Sequence, residues 1–289
     1  MRYLEPIFRP PSEANSYILQ VTYGCSHNQC TFCGMYQNKS FRVRPFQEVI
    51  EDIQLASQHW PDVRRVFLAD GDAMILSTEK LLRILQALTQ AFPRLSRVGI
   101  YADARSFKGK TDDELSELRK NKLGVVYLGL ESGNNRVLEK IKKGATAEQM
   151  IEPMVRARTA GIKTSVIALL GVGGTAFSKE HAQGTAEAIN AMGPNFFSAL
   201  TLTLVPGTQI FEDAQRGLFT PLSPEQSLEE LYQIVENIHC DKPVIFRTNH
   251  ASNYVSLEGN LPRDKGKILE TIRNALKHKI LKPEWLRGL

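Results

Sequence analysis

Three of the four cysteines, Cys25, Cys30 and Cys33, lie within a stretch of nine residues. Their spacing is C-x4-C-x2-C, and a glycine flanks the segment on each side. Three thiolates on one short loop can ligate three irons of an iron–sulfur cubane, because soft sulfur ligands suit such clusters. A loop that supplies only three ligands leaves the fourth iron open to a small molecule.

The same spacing also allows a structural zinc site, in which His27 or another histidine completes a tetrahedron with the three cysteines. The position of the loop weighs against zinc, since it directly follows the first predicted strand, where catalytic loops of barrels lie. The loop alone leaves both metals open. Cys240 stands far downstream and is more typical of a buried small hydrophobic residue.

The elements that must position this loop alternate between strands and helices. Apolar and β-branched runs predict strands at 17–23, 65–69, 98–102, 125–130, 164–170 and 196–204. Helical spacing and capping signatures predict helices at 46–59, 78–91, from 112, 146–160, 179–191, 223–238 and 265–277.

Six strand–helix units in sequence predict parallel strands joined by right-handed crossovers. A Rossmann sheet is the competitor, but the G-x-G-x-x-G fingerprint is absent after the first strand. We therefore predict an α/β fold, a partial (β/α)6 TIM-like barrel with a C-terminal extension of helix and loop. The barrel is expected to span residues 1–220 and the extension residues 221–289, packed together as one compact unit.

The composition is that of an ordinary globular protein, with 42% hydrophobic and 23% charged residues. The net charge of +5 is compatible with a polyanionic partner, but acids interleave with the basic residues, as on solvated helices. No apolar run reaches the roughly 18 residues of a membrane span. Prolines interrupt the N-terminal segment where a signal peptide would be apolar. We expect a cytoplasmic protein without a membrane partner.

Two polar groups are candidates for substrate contact. The third strand ends at Tyr101, Asp103 and Arg105, although an internal Asp–Arg pair explains the last two equally well. A polar segment at 246–254 is expected to cover the open side of the barrel and to contribute Asn249, His250 or Asn253 to the substrate pocket. The alternative is a loop that connects helix to barrel through side-chain hydrogen bonds.

Over residues 15–207 the chain resembles the radical SAM superfamily, which has a three-cysteine loop after the first strand and an aromatic residue, here Phe32, before the third cysteine. The usual spacing is C-x3-C-x2-C, so this chain carries one extra residue. The resemblance implies a [4Fe–4S] cluster and S-adenosylmethionine (SAM), cleaved reductively to a 5′-deoxyadenosyl radical that abstracts hydrogen from a substrate. It also implies an external low-potential electron donor, a flavodoxin or a ferredoxin.

The segment after the second strand, Asp70-Gly71-Asp72, looks like a variant of the family's Gly-Gly-Glu, which holds the methionyl ammonium of SAM. In this interpretation Gly71 allows close backbone approach and Asp72 supplies the carboxylate. A plain Asp-Gly turn at the end of the strand is the alternative.

The segment after the fourth strand begins Glu131-Ser132 and resembles the branch that contains coproporphyrinogen dehydrogenase, the methylthiotransferases and the Elongator catalytic subunit. The resemblance places Glu131 on the ribose hydroxyls and Lys143 on the SAM carboxylate. Since Lys140 and Lys142 lie beside Lys143, a solvated basic face is the alternative.

Two further segments resemble nucleoside-binding turns of the family. Gly171, after the fifth strand, is expected to allow close approach of adenine or ribose, although a tight turn explains it equally well. The backbone at Val205 resembles the segment that reads the adenine edge. The sequence does not indicate the substrate; the competing functions are RNA modification within the same branch and a zinc-stabilised binding protein without redox chemistry.

Overall fold

The structure, a computed structural model, describes residues 1–288. The strands are β1 (Tyr17–Gln20), β2 (Thr22–Tyr23), β3 (Arg42–Val43), β4 (Arg65–Ala69), β5 (Arg97–Ala102), β6 (Leu123–Glu131), β7 (Lys163–Leu170), β8 (Phe196–Thr201), β9 (Val244–Arg247) and β10 (Glu258–Leu261). The α-helices are α1 (Phe46–His59), α2 (Thr78–Ala91), α3 (Asp112–Lys120), α4 (Asn135–Lys140), α5 (Ala147–Thr159), α6 (Gly174–Met192), α7 (Gln209–Gln215), α8 (Pro224–Asn237) and α9 (Lys265–His278).

The chain divides into two compact units, of which the first comprises residues 1–28, 35–128 and 156–164. In this unit β4 pairs in parallel with both β1 and β5, and β5 pairs in parallel with β6. Phe67, Val125 and Tyr127 form the centre of its apolar core, against which Ile18 and Tyr101 pack. The short strands β2 and β3 form a separate antiparallel pair.

The second unit comprises residues 29–34, 129–155 and 165–289, of which residue 289 lies outside the described residues. Here β8 pairs in parallel with both β7 and β9, and β10 closes the series antiparallel to β9. Helices α6 and α8 pack against each other, and α8 also packs on α9. The parallel pairs in both units confirm the predicted α/β class.

The helix boundaries follow local chemistry that the sequence displays. The Thr111 hydroxyl accepts the Glu114 amide at 3.2 Å, and the Glu114 carboxylate accepts the Thr111 amide at 2.7 Å, a complete capping box before α3. Ser223 and Gln226 form the same box at α8. None of the helices in residues 1–288 combines the length and apolar character that a membrane span requires.

Several predicted boundaries are wrong. The strand predicted at 17–23 is broken into β1 and β2, because residues 22 and 23 turn to pair with β3. The strand predicted at 196–204 ends at Thr201. Helix α6 begins five residues earlier than predicted, with a kink at Phe177, and the sequence did not predict β3, α4, α7, β9 or β10.

A buried ion pair fixes the residue that follows β4. The Asp70 carboxylate is fully buried, and its Oδ2 accepts hydrogen bonds from Lys39 Nζ at 2.9 Å and from the Gly24 amide at 3.1 Å. The Lys39 ammonium also donates to the carbonyls of Leu4 and Pro6. Burial raises the pKa of Asp70, and the Lys39 ammonium opposes that effect. The pair therefore ties the end of β4 to the residue before Cys25.

Replacing Lys39 by methionine is predicted to lower the free energy of unfolding by about 3–5 kcal/mol, because it leaves the Asp70 charge buried without its cation. Urea unfolding of the apoprotein measures this change. The matched control is Arg94→Ala, which breaks an exposed pair with Asp62 and should change stability by less than about 1 kcal/mol. A Lys39→Met loss as small as the control's would show that the pair contributes nothing.

Candidate functional site

The first part of the cysteine loop is fastened to the end of β4. The Gly24 carbonyl accepts the Gly71 amide at 3.1 Å. A Cβ atom built on Gly71 would lie 2.9 Å from Cys25 Cβ and 2.7 Å from the Tyr36 ring. A side chain at position 71 would therefore displace Tyr36 or Cys25, which favours glycine there. The contact of Gly71 with SAM stays a prediction.

The second part of the loop is held inside the second unit. The Thr31 amide donates to the Ile141 carbonyl at 2.9 Å, and the Thr31 carbonyl accepts the Ile210 amide at 3.0 Å. Gly34 packs so closely on Val205 that a Cβ there would lie 2.9 Å from a Val205 methyl carbon. The segment at Val205 thus lies directly against the end of the loop. Phe32, within the loop, is partly exposed.

The cysteines are present as thiols and are partly exposed. Residues 1–288 contain no group of three or more His, Cys, Asp or Glu side chains already gathered in metal-ligating geometry. Ligation by Cys25, Cys30 and Cys33 therefore stays a prediction. Their chemistry suits an iron–sulfur cluster, since accessible thiols on an anchored loop are the ligands that such a cluster requires.

Asp72 is fully buried and links three loops of the first unit. Its Oδ1 accepts the Asp103 amide at 3.1 Å and the Ser106 hydroxyl, and its Oδ2 accepts the Ser26 hydroxyl at 2.5 Å. Burial raises the pKa of Asp72, and the bonds from Ser106 and Ser26 oppose it. Both oxygens are engaged by the protein, so the contact with the SAM ammonium stays a prediction.

The residues after β5 connect to the cysteine loop. Arg105 Nε lies 2.7 Å from Asp103 Oδ1, which is the internal pair that the sequence left as an alternative. Arg105 Nη1 also lies 2.7 Å from His27 Nδ1, and since arginine only donates, this ring nitrogen is the acceptor. The other terminal nitrogen, Nη2, is buried and has no hydrogen-bond partner within the described chain. Tyr101 packs edge-on against Phe67, with ring centroids 4.8 Å apart.

Glu131 and Lys143 form a pair in the second unit. Lys143 Nζ lies 3.4 Å from Glu131 Oε1, and Lys143 is only 8% exposed, so it does not lie on the solvated face that was the alternative. Glu131 has φ 61°, a left-handed conformation that non-glycine residues adopt only when their surroundings enforce it. Its carboxylate folds back over Gly129, where a Cβ would lie 2.1 Å from Oε1.

The polar segment at 246–254 begins inside β9 and then forms a loop. Asn253 is buried; its amide donates to the carbonyls of Ala199 and Thr248 at 3.0 Å each and accepts the Thr201 hydroxyl at 2.9 Å. These bonds hold the loop on β8 through a side chain; they do not reach a helix, as the alternative from the sequence had it. His250 Nδ1 lies 2.9 Å from the Ser252 hydroxyl, whereas Asn249 is exposed. Substrate contact by these residues stays a prediction.

Sequence reasoning missed the surface of α6 that receives the turn after β6. The Gly133 amide donates to Thr185 Oγ1 at 3.1 Å, and a Cβ on Gly133 would lie 2.0 Å from the Gly184 carbonyl oxygen. The Ser132 hydroxyl lies 2.9 Å from His181 Nδ1. These α6 residues have the spacing i, i+3, i+4 of one helix face, which was the available signal.

Comparison with known proteins places the chain in a family. The sequence model of the Radical SAM superfamily matches residues 19–189, more than half of the chain. The heme chaperone HemW of Bacillus subtilis is 23% identical over 220 residues, which cover 73% of this chain and 56% of HemW. The tRNA-2-methylthio-N(6)-dimethylallyladenosine synthase of Alkalilimnicola ehrlichii is 25% identical over 240 residues, 80% of this chain and 52% of that enzyme.

Among solved structures, coproporphyrinogen III oxidase (HemN) of Escherichia coli superimposes with a TM-score of 0.55 at 18% identity, over 76% of this chain and 51% of that one. This likeness confirms the predicted fold, the partial TIM barrel of such enzymes. The chain spans about half the length of these relatives. Members of the matched family use a [4Fe–4S] cluster and SAM. The chain belongs to the radical SAM superfamily.

Proposed function

We propose that the protein is a radical SAM enzyme in which Cys25, Cys30 and Cys33 hold a [4Fe–4S] cluster. The observation that carries this proposal is the fastening of the cysteine loop to the end of β4, together with the family match over residues 19–189. When bound, the cluster and SAM supply one-electron reductive cleavage of the sulfonium and thereby a 5′-deoxyadenosyl radical. The substrate is unidentified.

The chain's own part is to bind and orient. Glu131 and Lys143 are proposed to hold the ribose hydroxyls and the carboxylate of SAM, since these oppositely charged side chains lie together at the end of β6 and are only 14% and 10% exposed. Gly171 and the backbone at Val205 are proposed to line the nucleoside. Gly71 and Asp72 are proposed to lie at the methionyl end. A low-potential donor, a flavodoxin or a ferredoxin, is proposed to deliver the electron.

Arg105 is the best-supported candidate for substrate contact. Asp103 and His27 hold two of its nitrogens beside the cysteine loop, and Nη2 still has a donor to offer. A guanidinium fixed in this way suits a carboxylate or phosphate group.

RNA modification is the second candidate, favoured by the similarity to a tRNA-modifying synthase over 80% of this chain. Gel shifts with transfer RNA distinguish RNA modification from a reaction on a small molecule, because RNA binding through phosphates weakens steeply as the salt concentration rises. Absence of any salt-sensitive shift would favour a small-molecule substrate.

Alanine at Cys25, Cys30 or Cys33 is predicted to reduce the iron content of anaerobically reconstituted protein to less than about one tenth of wild type, because a cubane needs all three thiolates. Iron and acid-labile sulfide analysis measures this loss. The matched control is Cys240→Ala, which should retain the wild-type iron content. Stoichiometric zinc without sulfide in the wild type would contradict the proposal and favour the zinc-stabilised binding protein.

Replacing Gly71 by alanine is predicted to lower the free energy of unfolding by about 1–3 kcal/mol, because the new methyl group overlaps the Tyr36 ring and Cys25. It should also lower iron incorporation by displacing Cys25. The control is Gly266→Ala in α9, where a Cβ meets no atom within 4 Å and stability should rise by about 0.4–1 kcal/mol. Full iron content and unchanged stability in Gly71→Ala would show that the contact does not position the loop.

A further inference from the structure

A histidine without an assigned role lies at the centre of a series of buried polar contacts in the second unit. His181, on α6, is fully buried. On one side its Nδ1 lies 2.9 Å from the Ser132 hydroxyl, directly after Glu131. On the other side its Nε2 lies 3.5 Å from Oε1 of Glu230, a residue of α8 whose side chain is also fully buried.

The contacts of His181 favour one tautomer of its ring. Glu230 presents acceptor oxygens to Nε2, so we assign the imidazole proton to that nitrogen, although at 3.5 Å it makes no hydrogen bond. Nδ1 then accepts the Ser132 hydroxyl, whose oxygen also accepts the Asn134 amide at 3.0 Å. Burial lowers the pKa of His181, and Glu230 only partly opposes this, so the ring is neutral.

Glu230 also contacts the turn after β7. Its Oε1 accepts the Gly171 amide at 2.6 Å, and its Oε2 accepts the Ser178 hydroxyl at 2.6 Å. A buried carboxylate is costly without such donors, so Glu230 holds this turn tightly. The chain of contacts therefore runs from Ser132 through His181 and Glu230 to Gly171.

Positive φ angles occur at both turns that these contacts join. Glu131, the residue before Ser132, has φ 61°, and Gly171 has φ 80°. Glycine adopts this conformation readily, but at Glu131 it persists only because surrounding contacts enforce it, and such residues cluster at binding sites. The two turns are also those that the proposed function assigns to the ribose and the nucleoside of SAM.

We infer that His181 is a positioning residue, which with Glu230 holds the Glu131 turn and the Gly171 turn at the spacing that the nucleoside of SAM requires. It touches neither SAM nor the reacting atoms. The inference rests on the proposed function, because it assigns the two turns to SAM.

The test measures the SAM dissociation constant of anaerobically reconstituted protein by equilibrium dialysis. His181→Asn keeps a polar group near Ser132 but is too short to reach Glu230, and it should weaken SAM binding about tenfold at unchanged iron content. Glu230→Gln retains an oxygen for the Gly171 amide and should bind SAM within about threefold of wild type. Glu230→Ala removes that oxygen and should lose about tenfold.

A double-mutant cycle separates positioning from general destabilisation. In a Glu131→Ala background the loss caused by His181→Asn should shrink to about twofold or threefold, because the carboxylate that it positions is gone. Gln183→Ala on the exposed face of α6 and Ser227→Ala, buried on α8, are matched controls that should bind SAM as wild type does.

Equal SAM affinity of wild type and His181→Asn would overturn the inference, as would a tenfold loss in both backgrounds, which indicates a merely structural role. If His181→Asn fails to fold, the SAM affinities of Glu230→Gln and Glu230→Ala decide the question. Equal SAM affinities of those two variants would overturn the inference. Wild-type protein that holds iron and sulfide but binds no SAM would instead defeat the proposed function, and the inference with it.

Discussion

Two buried carboxylates at the end of β4 are the constraint on which the candidate site depends. Asp70 and Asp72 are both fully removed from solvent, and a buried charge is costly unless donors compensate it. Asp70 accepts hydrogen bonds from Lys39 and the Gly24 amide, and Asp72 accepts one from Ser26. Because Gly24 and Ser26 flank Cys25, the contacts that satisfy the two acids also fix where the cysteine loop begins.

In the second unit, too, acidic side chains removed from solvent hold the turns that follow strands. Glu131, largely buried at the end of β6, is paired with Lys143, and Glu230, fully buried on α8, accepts the amide of Gly171 in the turn after β7. Neighbouring helices hold both turns: Thr185 and His181 of α6 contact the turn after β6, and Glu230 of α8 contacts the turn after β7. Turns held in this way need little reorganisation to bind a ligand, so the proposed contacts with SAM would carry a lower entropic cost.

The sequence predicted the elements whose signals are local. The bounds of α1, β4 and α2 and the capping boxes at α3 and α8 agree with the structure, since apolar periodicity and caps act within a few residues. Short elements were missed: β9 and α7 span 4 and 7 residues, too few to display a period. The early start of α6 was missed because Gly173 and Gly174 read as a turn.

The same distinction between local and long-range signals applies to the residues of the candidate site. Cys25, Gly71 and Glu131 were identifiable because they follow predicted strands in a spacing that resembles a known family. The contacts that hold the neighbouring residues were not identifiable. Lys39 reaches Asp70, Ser106 reaches Asp72 and Glu230 reaches Gly171 across 31, 34 and 59 residues of chain. The burial of Lys143 could likewise not be predicted, because Lys140 and Lys142 lie beside it in the sequence. Pairing over such distances depends on the fold, which no local pattern encodes.

The central claim is that three cysteines hold a cluster whose fourth iron is open to SAM. Electron paramagnetic resonance of the dithionite-reduced protein, recorded before and after addition of SAM, tests it most directly. The account predicts a reduced [4Fe–4S] signal whose g values shift when SAM is added, because SAM becomes a ligand of the open iron. A cluster signal that SAM leaves unchanged would contradict it, as would reconstituted protein with no reducible cluster.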